Sequence, residues 1–146
     1  MIKKILVLCL GNICRSPIAE VLLREQAKAK QLDLSVDSAG ITAMEGWSAN
    51  PTSQTLMEER QLSLKNHVAK QVTAALVKEA DLILVMDEEQ RRMLERKFHE
   101  ACGKTFRIGH HGGFDVEDPY QKERAAFEDA MRKIEQGAIE WLEFIA

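Results

Sequence analysis

The chain of 146 residues has no apolar run that approaches the roughly 20 residues of a membrane span. It also lacks an excess of positive charge, and its net charge of -3 argues against a general nucleic-acid-binding protein. Cysteine is scarce, and an odd number of three does not suggest a disulfide framework. Because repeats, low-complexity stretches and linkers are absent as well, we expect one domain over residues 1–146.

The N-terminus shares one feature with secretion signals, because Lys3 and Lys4 precede an apolar segment. That segment ends after Leu10 at a Gly-Asn pair, and Arg15 follows soon afterwards. A signal peptide needs an apolar core of about 7–15 residues and a small-residue cleavage site. The pattern therefore favours a strand, and we expect a cytoplasmic protein without membrane insertion.

Apolar runs rich in β-branched residues alternate with helical patterns along the chain. Four segments predict strands, at residues 2–9, 34–37, 82–86 and 105–108, and the first of them is expected to be buried on both faces. Helices are expected at residues 16–31, 51–61, 72–79 with Thr73 as cap, 87–99 with Asp87 as cap, and along the C-terminal apolar face from 127 to 142. This alternation predicts an α/β fold, a doubly wound, Rossmann-like domain whose central four-stranded parallel sheet is flanked by helices.

Two loops follow strands and can therefore lie at the carboxyl edge of this sheet, where such folds bind ligands. One follows Cys9, and the other is the long loop from 109 to 122. In the first loop, Gly11 and Asn12 are the residue types that best tolerate left-handed backbone geometry. A tight turn of this kind points successive N–H groups inward, so the loop is expected to bind an anion.

The residues around this turn are expected to make the thiol of Cys9 reactive. Ser16 is predicted to cap the next helix, with Pro17 at its first position, so the positive helix end faces the loop. Arg15 adds a planar guanidinium that can bind two anion oxygens. Helix N-termini and nearby cations lower the pKa of cysteine thiols from about 8.5 to roughly 3.5–7.5. We therefore expect Cys9 to be a thiolate that attacks phosphorus, with Ser16 donating a hydrogen bond to its sulfur.

Other interpretations of this loop explain less of it. Four residues separate Cys9 from Cys14, but no Cys or His pair at a matching spacing completes a zinc site. A thioredoxin-like motif needs two intervening residues, and a nucleotide-binding P-loop needs Gly-Lys-Ser/Thr. A buried core position would explain Cys9 alone. We expect neither a metal ion nor another cofactor.

The stretch CLGNICRSP at residues 9–17 resembles the signature loop of the low-molecular-weight protein tyrosine phosphatases. Further stretches follow in the family's order and spacing, so that the resemblance covers nearly the whole chain: DSAG at 37–40, HVAKQ at 67–71, DLILVMDEE at 81–89 and EDPY at 117–120. It implies that Cys9 is the nucleophile, that Arg15 binds the phosphoryl group, and that Asp118 is the general acid and then the general base. Without it, nothing separates Asp118 from its acidic neighbours Asp115, Glu117 and Glu123.

The resemblance also implies supporting roles for other residues. The phosphate-binding loop would further include Leu10, Gly11, Asn12, Ile13, Cys14 and Ser16, with Ser38 and His67 supporting it from a second layer. Cys14 would form a disulfide with Cys9 and protect it from irreversible oxidation. Trp47 and Tyr120 are candidate walls around a phenyl ring, and Met44 is a rival for the position of Trp47.

Three positions depart from the common family pattern, and none belongs to the catalytic set: Asn50, Lys70 and Gln121. The compact loop at residues 44–47 resembles bacterial members that act on tyrosine kinases controlling capsule or exopolysaccharide export. This likeness implies a tyrosine-phosphorylated protein as partner, with a bacterial tyrosine kinase as the candidate, and no nucleic acid.

Three other functions share parts of the pattern. An arsenate reductase has the same loop, but its relay needs two further cysteines, and only Cys102 remains after Cys14. Protein arginine phosphatases tend to carry Thr where this chain has Ile13, so the apolar residue favours an aryl phosphate. A non-catalytic phosphate-binding module would need neither Cys9 nor Asp118.

Overall fold

A computed structural model describes all 146 residues. The strands are β1 (Lys4–Cys9), β2 (Ser35–Gly40), β3 (Leu82–Val85) and β4 (Thr105–Arg107). The helices are α1 (Arg15–Ala29), α2 (Pro51–Glu58), α3 (Ala74–Glu79), α4 (Glu88–Lys97) and α5 (Arg124–Ile145), and a 3₁₀ turn spans His99–Ala101. Even the longest of these helices, α5, lacks the continuous apolar length of a membrane span.

The four strands form one parallel sheet in the order β2-β1-β3-β4. This confirms the predicted doubly wound α/β fold. In sheets of this kind, ligands bind beyond the carboxyl ends of the strands, at the point where the strand order reverses, here between β1 and β3. Cys9 is the last residue of β1, so it lies at that point.

Both faces of the sheet are covered, because alternate residues of β1 enter different apolar clusters. Ile5, Val7 and Cys9 pack in the larger cluster, which includes the apolar sides of α1 and α5. Leu6 and Leu8 pack in the smaller cluster on the other face. A strand buried on both faces has no solvent-facing positions, which explains the continuous apolar runs of the sequence.

Two predicted helix caps are confirmed and one is wrong. The side chains of Thr73 and Asp87 cap α3 and α4 by accepting hydrogen bonds from backbone N–H groups three residues on, at 3.2 and 2.8 Å. Helix α1 begins instead at Arg15, with Cys14 in the capping position and no side-chain cap. Ser16 lies inside the first turn, where its hydroxyl forms hydrogen bonds with residues of the preceding loop.

Candidate active site

The loop between β1 and α1 turns at Asn12, whose φ of 61° lies in the left-handed region. The same geometry was expected at Gly11, which has no positive φ. The buried side chain of Asn12 donates from Nδ2 to the hydroxyls of Ser16 and Ser38, at 2.7 and 3.1 Å. Its Oδ1 accepts a hydrogen bond from the backbone of Lys70 at 3.0 Å. One side chain therefore joins the loop to α1, to β2 and to the segment before α3.

The Cys9 thiol lies on the floor of this loop and is almost fully buried. Its sulfur is 3.0 Å from the Ser16 hydroxyl oxygen and accepts a hydrogen bond from the backbone N–H of Asn12 at 3.3 Å. Because the Ser16 oxygen already accepts from Asn12, the hydroxyl hydrogen is free to point at the sulfur. Two donors facing one sulfur is an arrangement suited to a negatively charged nucleophile.

The Arg15 guanidinium lies beside the same cavity and is only 3% exposed. One terminal nitrogen donates to the backbone oxygen of Val116 at 2.8 Å, and the other lies 3.7 Å from the Asp118 carboxylate. The buried Nε has no hydrogen-bond partner. A buried unpaired donor is costly, so the site gains free energy when an anion supplies the missing acceptor.

Asp118 lies on the loop between β4 and α5. In this loop, Val116 donates its backbone N–H at 2.9 Å to the oxygen of Met86, the residue after β3. The Asp118 carboxylate also accepts a hydrogen bond from the backbone of Tyr120 at 3.1 Å. Of the four candidate acids in this region, only Asp118 lines the cavity that contains Cys9. The structure thus separates this carboxylate from its neighbours, which the residue pattern alone does not.

The cavity has a volume of about 160 Å³. Its lining combines a polar floor with mainly apolar walls: Cys9, Leu10, Gly11, Ile13, Cys14, Arg15, Thr42, Met44, Asp118 and Tyr120. Met44 and Tyr120 are therefore at the wall. Trp47 does not line the cavity: its side chain is 53% exposed, although its backbone N–H donates to the Met44 oxygen at 3.1 Å.

The two residues expected to support the loop lie behind it. His67 donates from Nε2 to the backbone oxygen of Asn12 at 2.7 Å, since a carbonyl can only accept. Ser38, which accepts from Asn12, donates its own hydrogen to Glu20 at 2.5 Å. Glu20 is in turn paired with Arg24 at 2.6 Å. The sequence analysis missed Glu20, although its position four residues after Ser16 places it on the same side of α1.

Thr42 and Gln71 were also missed. The amide of Gln71 donates to the backbone oxygen of Ile41 at 2.7 Å and accepts from the backbone of Ala43 at 2.9 Å. Thr42, between these two residues, donates its backbone N–H to Leu10 at 2.9 Å. Gln71 and Thr42 thereby hold the wall segment against the loop between β1 and α1. No local sequence signal indicates this pairing, because the two segments are about 30 residues apart.

Cys14 also lines the cavity and is nearly fully buried. Burial, with smaller contributions from the negative charges of Cys9 and Asp118, raises the pKa of Cys14 from 9.0 to about 12 despite the opposing effect of Arg15. Cys14 is therefore an uncharged thiol in the same cavity as Cys9. All three cysteines are free thiols, and the Cys9–Cys14 disulfide stays a prediction. No group of three or more His, Cys, Asp or Glu side chains is arranged to hold a metal ion.

Comparison with known proteins identifies the relatives of this arrangement. The chain is 44% identical over 142 residues to the probable low molecular weight protein-tyrosine-phosphatase EpsP of Ralstonia solanacearum, covering 97% of this chain and 95% of that protein. It resembles the crystal structure of the tyrosine phosphatase Wzb from Escherichia coli K30 in complex with sulphate, with a TM-score of 0.93, 35% identity and full coverage of both chains.

A more distant similarity bears on one of the alternative functions. A YwlE mutant from Bacillus subtilis matches with a TM-score of 0.92 and 26% identity, covering 98% of both chains, and YwlE is an arginine phosphatase. The family described as low molecular weight phosphotyrosine protein phosphatase matches residues 4–146. The chain belongs to this family.

Proposed function

We propose that residues 1–146 act as one catalytic domain that hydrolyses phosphotyrosine in proteins through a phosphocysteine formed on Cys9. The observation that carries the proposal is that the sulfur of Cys9, the guanidinium of Arg15 and the carboxylate of Asp118 line one cavity of about 160 Å³. A nucleophile, an anion-binding group and an acid are the three components that phosphoryl transfer from an aryl ester requires.

In the first step, the phosphoryl oxygens take the open donors of Arg15 and of the loop backbone. The Cys9 sulfur attacks phosphorus, the S–P bond forms, and the bond from phosphorus to the tyrosyl oxygen breaks. Asp118 gives its proton to that oxygen. Because a phenol has a pKa near 10, an unprotonated phenolate is a poor leaving group, and the proton accelerates the step.

In the second step, the now ionised Asp118 takes a proton from a water molecule, whose oxygen attacks the phosphorus of the phosphocysteine. The S–P bond breaks, inorganic phosphate leaves, and Cys9 departs as a thiolate. The hydrogen bonds from Asn12 N–H and the Ser16 hydroxyl stabilise the sulfur as it regains its charge. Arg15 holds the phosphoryl oxygens throughout both steps.

The walls of the cavity favour an aryl phosphate ester over the alternative substrate, phosphoarginine. Ile13, Met44 and Tyr120 are apolar or aromatic and line the space above the sulfur. A flat phenyl ring buries apolar surface against them, whereas the charged guanidinium of phosphoarginine would lose solvation against the same walls. Phosphoarginine is nevertheless the substrate that competes most directly, given the likeness to YwlE.

We further propose that the enzyme works in the cytoplasm on a tyrosine-phosphorylated protein, with a bacterial tyrosine kinase of polysaccharide export as the candidate. The likeness of the loop at residues 44–47 to bacterial family members supports this, as does the similarity to EpsP over nearly the full chain. A reducing compartment suits the mechanism, because Cys9 must stay a free thiol.

The test is phosphate release from a phosphotyrosine peptide, with a chelator and a reductant present. The native chain should turn over, Cys9→Ser should be inactive, and Cys102→Ser, which alters an exposed cysteine outside the cavity, should match the native chain. Phosphoarginine and phosphoserine peptides run in parallel fix the substrate class. A faster reaction with phosphoarginine, or activity that survives in folded Cys9→Ser, would overturn the proposal.

A further inference from the structure

The general acid of the proposed mechanism lies on a long loop without regular secondary structure, since residues 108–123 separate β4 from α5. A proton donor must come within hydrogen-bond reach of the leaving oxygen. A displacement of about 1 Å in a reacting group can cost about 10²-fold in rate. The contacts that hold this loop therefore decide how well Asp118 can work as an acid.

The first part of the loop is closed on itself. Gly113 and Phe114 both donate their backbone N–H groups to the oxygen of Gly109, at 2.8 and 3.1 Å. A Cβ added at Gly109 would lie only 2.1 Å from the Phe114 oxygen, which shows how tightly the two ends of this turn meet. Residues 109–114 thus form a closed turn. Residues 115–117, which we call the connecting segment, join this turn to the general acid.

The connecting segment is held at its central residue by backbone hydrogen bonds. Val116 is fully buried, its N–H donates to the Met86 oxygen at 2.9 Å, and its own oxygen accepts from the Arg15 guanidinium at 2.8 Å. These bonds fix the position of one residue. Because they are made by one residue only, a second contact is needed to stop the segment from rotating about it.

An ion pair between Asp115 and Arg107 supplies this second contact. Nη1 of Arg107 donates to Oδ1 of Asp115 at 2.9 Å. Arg107 is itself fixed, because it ends β4, pairs with Val85 in the sheet, and accepts a hydrogen bond from the Trp141 indole at its backbone oxygen at 3.0 Å. Its Nε lies 3.7 Å from the carboxylate of Glu88 in the first turn of α4. A planar guanidinium that faces two carboxylates through different nitrogens is held in one orientation.

We propose that Arg107 is a positioning residue for the general acid: it binds Asp115, fixes the connecting segment, and so orients Asp118 towards the leaving oxygen. The inference rests on the proposed function. Neither Arg107 nor Asp115 lines the cavity, so the pair acts on the reaction only through the loop. The side chains are 24% and 49% exposed, and ion pairs exposed to this degree contribute little to folding.

The experiment compares Arg107→Met and Asp115→Asn with a matched control, Glu117→Gln. Glu117 is an exposed acid directly before Asp118, and it forms no ion pair. The readout is kcat/KM, which reports the steps up to phosphoryl transfer to Cys9, for phenyl phosphate and p-nitrophenyl phosphate.

Both Arg107→Met and Asp115→Asn should lower kcat/KM for phenyl phosphate by about fivefold, the upper end of what an exposed ion pair contributes to an equilibrium. For p-nitrophenyl phosphate, whose leaving group needs no proton, the change should stay below about twofold. Glu117→Gln should stay within about twofold of the native chain on both substrates. Inhibition by inorganic phosphate should be unchanged in all variants, because the phosphate-binding loop is intact.

The double variant tests whether the two residues act through one contact. If they do, Arg107→Met combined with Asp115→Asn should fall no further than Arg107→Met alone. A double variant whose loss is the product of the two single losses would contradict the inference. So would equal losses on the two substrates, an equal loss in Glu117→Gln, or native kinetics in both single variants. Failure of the proposed function looks different, because the native chain would then fail to hydrolyse phenyl phosphate itself.

Discussion

Asn12 connects the backbone geometry of the loop between β1 and α1 with the position of the Ser16 hydroxyl beside Cys9. Asn12→Ala removes three side-chain hydrogen bonds, two of them buried, and at a net value of about 1 kcal/mol each they amount to about 3 kcal/mol. The φ of 61° adds about 1–2 kcal/mol for an alanine in left-handed geometry. We therefore expect a loss of about 4–5 kcal/mol in the free energy of unfolding, measured by urea denaturation.

Asn12→Gly separates the two contributions, because it loses the same hydrogen bonds without the backbone strain. Glycine costs about 0.4–1 kcal/mol through the flexibility of the unfolded chain, so it should exceed alanine in stability by only about 1 kcal/mol. Both variants should lower kcat, since the Ser16 hydroxyl loses the partner that orients it towards Cys9. A more stable Asn12→Ala than Asn12→Gly would refute the strain argument. Native-like kcat in either would refute the link to the nucleophile.

Three further changes test the wall and the buried thiol. Gly40→Ala would place a Cβ 2.8 Å from the Leu10 oxygen, so the loop must shift, and we expect a loss of about 1–3 kcal/mol in urea unfolding together with a higher KM. Gln71→Glu replaces the donor to the wall segment by an acceptor and should raise KM for phenyl phosphate more than it lowers kcat, in steady-state kinetics. The pKa of Cys14 is raised in the folded state, so the native chain should lose stability relative to Cys14→Ala as the pH rises from 9 towards 12, in urea unfolding across that range.

Each of these expectations has a clear contrary result. A Gly40→Ala variant as stable and active as the native chain would mean that Gly40, at the end of β2, is not in close contact with the backbone oxygen of Leu10. A loss confined to kcat in Gln71→Glu would remove its role in holding the wall. A pH dependence shared by the native chain and Cys14→Ala would show that Cys14 does not hold its proton more tightly when folded.

The strands and most helix starts could be predicted because their signals are local. Continuous apolar runs indicate strands buried on both faces. Thr73 and Asp87 each cap a helix by accepting a hydrogen bond from the backbone N–H three residues later. The start of α1 could not be predicted in this way, since Ser16 has the sequence pattern of a cap but its hydroxyl bonds to Cys9 and Asn12. A tertiary contact there replaced a local preference.

The site shows the same division. The order of residues in the first loop was sufficient to predict a tight turn with Cys9 and Arg15 beside it. The wall depends on how a distant segment pairs with the loop, which is why Thr42 and Gln71 were not found. Trp47 was a candidate wall residue because it is aromatic, but its side chain lies at the surface and does not line the cavity.

The most direct test of the mechanism is to trap the intermediate. Asp118→Asn can still be phosphorylated by a substrate such as p-nitrophenyl phosphate, whose leaving group needs no proton, but it lacks the base that activates water. Acid quenching during turnover, followed by proteolysis and mass spectrometry, should find one phosphoryl group on the peptide that contains Cys9. Turnover by this variant with no phosphoryl group on Cys9, or with the group on another residue, would contradict the account.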